Sequence, residues 1–158
     1  MMEYELFIYT KLTYEELLKE VERSFKLFFN KEMNIIQTEE SVYMGMDKFS
    51  FSIELDEQSD IDFVSDNYQI NVNTYFSIEV YNKTFDKGIL EALQLMGMLL
   101  EKSTSALFLE IGDRQLFRKE QGQLWINNNL EDYQKEYLNA ETIHLLSSSF
   151  KEKKMKMM

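Results

Sequence analysis

The stretch that most constrains this chain is residues 86–101, DKGILEALQLMGMLLE, a helix-length run with almost no polar face. Ile89, Leu90, Leu93, Met96, Gly97 and Leu100 form one stripe at helical spacing. Leu95, Met98 and Leu99 carry apolar character round the rest of the cylinder. A helix that is apolar all round is buried on several sides. Gly97 costs about 1 kcal/mol against alanine inside a helix. The compensation it predicts is close approach of a neighbouring element.

Strand signals surround this helix. Residues 49–55 alternate cleanly, with Phe49, Phe51, Ile53 and Leu55 on one side and Ser50, Ser52 and Glu54 on the other. That is the period of a half-buried strand. Residues 3–9 alternate loosely, and Phe7 gives their second face an apolar residue as well. Shorter strands are read at 33–38 and 41–46, and a longer one over 69–82 with a bend near Thr74. After the apolar helix, 105–111, 114–119 and 124–127 read as a meander turning at Gly112-Asp113 and at 120–123.

Two more helices are expected. Thr13 and Glu16 have the spacing of a capping box. Beyond them Tyr14, Leu17, Leu18, Val21, Phe25, Phe28 and Phe29 form a core stripe up to about Asn30. A short helix follows Leu130, with Tyr133, Tyr137 and Leu138 inward. Residues 56–67, DEQSDIDFVSDN, read as a loop that touches the core at Ile61, Phe63 and Val64. The fold class is therefore α+β. A single mostly antiparallel sheet of about six or seven strands carries two main helices on one face and a short C-terminal helix. Residues 1–150 make one domain, and the basic tail 151–158 is expected to fray.

Composition narrows the chemistry. The chain has 158 residues and no cysteine, so thiolate nucleophiles, disulfides and cysteine-ligated metals are excluded. It has a single histidine, His144, close to the C-terminus, and no G-x-S-x-G or H-E-x-x-H pattern. Asp60, Asp62 and Asp66 are close in sequence but lack the spacing, central glycine and terminal glutamate of a calcium loop. Gly88 is alone at its helix start, so no phosphate cradle is read there. No cofactor and no metal site is expected. The net charge of −11 argues against nucleic acid as a direct ligand. With no leader-like or membrane-spanning run in these residues, the expected place of action is the cytoplasm, away from membranes.

Charge is segregated along the chain. Residues 49–82 hold seven acids and no lysine or arginine. Six of them, Glu54, Asp56, Glu57, Asp60, Asp62 and Asp66, are the candidate partner-binding residues. A patch of one sign accelerates association with a partner of the other sign. The same pattern also serves as a solvated acidic loop with no partner.

Two segments carry a family resemblance. The opening MEYELFIYTKLTYEELLKEVERSF has a tyrosine-containing strand, a short polar turn and an E-L-L helix. Residues 85–127 have a charged helix start with glycine, an apolar helix, an A-L-F-L strand, an L-F-R strand, a glycine turn and an L-W-I-N strand. Together they resemble the swarming-inhibition immunity proteins of bacterial polymorphic-toxin systems. That resemblance implies a cytoplasmic, non-enzymatic protein that binds and neutralises a cognate toxin. It names no contact residue. From the charge run, the toxin is expected to present a basic surface. The alternatives are a homo-oligomer using the over-apolar helix as its interface, and an enzyme with carboxylate or metal chemistry.

Overall fold

A computed structural model describes residues 1–111 and 114–155. Its described residues form one nine-stranded sheet. The strands are β1 (Met2–Tyr9), β2 (Asn34–Gln37), β3 (Ser41–Gly45), β4 (Phe49–Glu54), β5 (Thr74–Val80), β6 (Ser105–Glu110), β7 (Arg114–Glu120), β8 (Gln123–Asn127) and β9 (Lys151–Lys153). They lie in the order β2-β3-β4-β5-β1-β6-β7-β8-β9, with β1 in the middle. Every described pairing is antiparallel except that of β8 with β9. The turn expected at Gly112-Asp113 lies outside the described residues.

Two long helices cover one face: α1 (Tyr14–Phe29) and α3 (Phe85–Glu101). The capping box starts α1 as expected. Thr13 Oγ1 accepts from the Glu16 amide at 3.2 Å, and Glu16 Oε1 accepts from the Thr13 amide at 3.0 Å. Asn30 ends the helix in the left-handed conformation, at φ 53°. Leu17, Val21 and Phe25 face the core, whereas Phe28 is turned to solvent and Leu27 is 72% exposed.

α3 packs between the sheet, α1 and the C-terminal segment, and most of its apolar circumference is covered within the chain. Leu95 and Leu99 are fully buried and Met98 is 8% exposed. The three residues that extended its apolar character are thus covered by the chain itself, while Leu90 in its first turns is 37% exposed. Gly97 meets the expected neighbour, because a Cβ there would stand 2.0 Å from the Leu145 carbonyl oxygen. The segment that provides it contains a short helix, α4 (Asp132–Lys135), and a 3-10 turn, Ile143–Leu145. Tyr137 and Leu138 turn inward as expected, but Tyr133 is 46% exposed.

Three further segments differ from the pattern expected of them. Residues 56–67 are not a loop. They hold most of a helix, α2 (Gln58–Tyr68), on the opposite face of the sheet from α1 and α3. Ile61, Val64 and Tyr68 recur at helical spacing and bury against Phe7, Leu107 and Leu109. Phe63 does not touch the core. The strand expected over 69–82 shortens to β5, because Gln69 is the left-handed cap of α2 and residues 70–73 run across to the sheet. The tail is not frayed over its described part. Its residues Lys151–Lys153 pair with Trp125, Ile126 and Asn127, and Met155 is buried. The buried Asn127 holds it, accepting from the Met155 amide while its Nδ2 donates to the Gln115 carbonyl at 2.7 Å.

Candidate partner-binding surface

The face of the sheet that carries α2 is only partly covered. Tyr4, Leu6 and Ile8 point into the core beneath α1 and α3, so the alternate residues Glu3, Glu5 and Phe7 of β1 point the other way. Register extends those positions into rows. Glu5 is paired with Ser77, Ser77 with Ser52, and Ser52 with Tyr43, which faces Ile36 at the edge. In the next row Glu3 meets Glu79, then Ser50 and Gly45. A third row runs from Phe7 through Tyr75 and Glu54 to Ser41. This half-face, from β1 to β2, is built mostly of serine, tyrosine and glutamate.

The tyrosines fix its shape. The ring of Tyr43 lies across Gly45, where any Cβ would come within 2.8 Å of it. Burial first, and then the neighbouring Tyr43, push the Tyr81 hydroxyl up to about 12. Tyr75 stacks on Phe7 at 4.5 Å and donates to Glu5 Oε2 at 2.5 Å. Burial first, and then the bond to Glu5, raise the Tyr75 hydroxyl far above its ordinary value. It stays a donor, and its bond orients the Glu5 carboxyl.

Four of the six acids named from the sequence gather where β4 runs into α2. Glu54 ends β4, Asp56 and Glu57 lead into the helix, and Asp60 lies in its first turn. The Glu57 carboxyl is raised chiefly by a hydrogen bond shared with Asp60, then by partial desolvation and by the charges of Asp60, Glu54 and Asp56. Glu54 is raised by burial and by Glu40. Asp60 and Glu54 also act on Tyr75, which joins this cluster to the sheet rows. Acids at a helix N-terminus are favoured by its dipole, and that local term accounts for part of the clustering.

The other two acids, Asp62 and Asp66, are an i, i+4 pair on the exposed side of α2. Between them Phe63 stands 52% exposed. None of the six acids makes an ion pair among the described residues. The positive charge on this face lies beyond α2. There Arg118 pairs with Glu120 at 2.6 Å and donates to the Tyr68 carbonyl at 2.8 Å, and Lys153 stands 4.7 Å from the Trp125 ring centre. α2 thus divides an acidic half-face from a basic one.

Glu3, Glu5, Glu79, Tyr43 and Tyr81 escaped the sequence reading as parts of this surface. Alternation marked their parity, but only strand register joins residues so far apart in the chain. Among the described residues no group of three or more histidine, aspartate or glutamate side chains is placed to hold a metal ion, and no helix is long and apolar enough to cross a membrane. No family model, curated protein or solved structure matches this chain.

Proposed function

We propose that this chain is a non-enzymatic immunity protein. It binds a cognate bacterial toxin in the cytoplasm and neutralises it by covering a basic active site or entry groove. The observation that carries the reading is the run of Glu54, Asp56, Glu57, Asp60, Asp62 and Asp66 through the end of β4 and along α2, none of them in an ion pair among the described residues, on the same helix as the exposed ring of Phe63. The resemblance of residues 2–25 and 85–127 to swarming-inhibition immunity proteins supports the same reading from the scaffold side.

The division of labour follows from the chemistry. Acids with no cationic partner keep their field for an incoming basic surface and raise the encounter rate. Phe63 supplies what the charges do not, an apolar anchor ringed by polar groups, the usual make-up of an interface hot spot. The serine and tyrosine rows give a hydrogen-bonding floor beside it. Against a nuclease, the carboxylates would occupy the positions of substrate phosphates.

The genetic test is the neighbouring reading frame. A large upstream frame with a secretion domain and a variable C-terminus is the expected partner, and co-expression should abolish its toxicity. Toxicity unaltered by co-expression would overturn the proposal.

A further inference from the structure

On the opposite side of the sheet from α2 lies a cavity of about 530 Å³. It opens between the start of β1, the first turns of α3 and the segment after α4. Its size is in the range of small-molecule sites, roughly 300–1,000 Å³. The floor is apolar and aromatic. Met2, Ile89 and Leu90 line it beside Phe85 and Tyr137, whose rings meet edge to face at 5.6 Å and 79°. Tyr133 stands at the mouth. Its hydroxyl donates to Glu110 Oε2 at 2.5 Å, which fixes the ring.

The charge around this floor has one sign. Asp86, Glu136 and Glu141 line the cavity, and no lysine or arginine does. None of these three carboxylates has an ion-pair partner among the described residues. Asp86 lies in the first turn of α3 and answers the positive end of that helix. Glu136 and Glu141 are left to act on whatever enters. Aromatic faces attract cations through the ring quadrupole, and acids at the rim repel anions.

We propose that this cavity binds a small organic cation, an ammonium group carried on an aliphatic or aromatic body. The body fills the floor over Ile89 and Leu90. The ammonium lies among the rings of Phe85, Tyr133 and Tyr137, within the field of Glu136 and Glu141. The site is separate from the acidic surface of α2 and stands or falls without the immunity reading.

The test uses the whole chain and three ligands that share a ring: benzyltrimethylammonium, benzyl alcohol and phenylacetate. Titration followed by NMR should show saturable binding of the cation, with shifts at Met2, Ile89 and Leu90, and binding at least about tenfold weaker for phenylacetate. Glu136 and Glu141 are exposed, so the double variant Glu136→Gln, Glu141→Gln should fold normally. It should weaken the cation about tenfold and leave benzyl alcohol unchanged. Tyr133→Leu, which keeps an apolar side chain but removes the ring, should weaken the cation in the same direction. The proposal is overturned if the cation fails to saturate by about 10 mM, a concentration at which even weak specific sites fill. It is equally overturned if phenylacetate binds as well, or if the shifts fall on α2, which would mark a general counter-ion effect.

Discussion

The α-carbon of Gly97 faces the carbonyl of Leu145 so closely that a methyl group on it would stand 2.0 Å from the oxygen. That contact locks the C-terminal segment onto the most apolar helix of the chain. Alanine at this position gains about 1 kcal/mol in helix propensity and must push backbone, not a flexible side chain, out of the way. Gly97→Ala should lower stability by about 1–3 kcal/mol net, seen as a lower urea midpoint with little change in slope. A stabilised variant would mean that the segment does not rest on α3.

The end of the chain is the second place to test. Lys151–Lys153 extend the sheet, and Met155 buries behind them. Deleting residues 151–158 removes one of the two strands paired with β8 and leaves the Oδ1 of the buried Asn127 without its Met155 amide. The expected loss is roughly 1–3 kcal/mol, from the ladder bonds and the Met155 side chain together. Equal stability of the shortened chain would show that β9 adds nothing.

Stability should also depend on pH, in two opposite senses. The Glu57 carboxyl is raised above its ordinary value of 4.5, so the folded chain holds that proton more tightly than the unfolded one. Its favourable contribution is complete below 4.5 and is lost as pH rises through the raised folded value. Glu57→Gln should therefore raise the urea midpoint at neutral pH and have a shrinking effect as the solution is acidified. Asp47 works the other way. Hydrogen bonds from Lys48 and Lys31 hold it at about 2, so its contribution is present above 3.8 and fades as pH falls towards 2. Asp47→Asn should lower the midpoint at neutral pH. Its half-exposed setting keeps that effect small. Chemical denaturation of both variants across this range checks the two signs.

Much of the fold could be read from local signals. The Thr13–Glu16 capping box, the alternation of β4 and the stripe of α3 each follow from residues close together in sequence. α2 was hidden for a physical reason. Ser59, Asp60, Asp62, Ser65, Asp66 and Asn67 all have weak helix propensity and compete for backbone hydrogen bonds, so the segment reads as a loop. Tertiary burial of Ile61, Val64 and Tyr68 overrides that preference. β9 was hidden similarly, since Lys-Glu-Lys has no apolar alternation to reveal it. For the candidate surface, charge marked Glu54 to Asp66 directly. The pairing of Glu5 with Tyr75, 70 residues away, needed the β1–β5 register.

Phe63 and the acids beside it should separate in their kinetic effects. Phe63→Ala removes an exposed ring and no core contact, so the fold should keep its stability within about 0.5 kcal/mol. Dissociation from the toxin should quicken by about tenfold or more, as for an interface anchor, with association little changed. Unchanged dissociation would move the contact surface away from α2.

The most direct measurement is the association rate of the chain with its toxin, by stopped flow at low and high salt. It compares the native sequence with the variant carrying Asp56→Asn, Glu57→Gln, Asp60→Asn, Asp62→Asn and Asp66→Asn. The native chain should associate fast and slow steeply with salt, whereas the variant should start about 10- to 1,000-fold slower and depend on salt only weakly. Equal, salt-insensitive rates for the two proteins would contradict the acidic surface as the binding site.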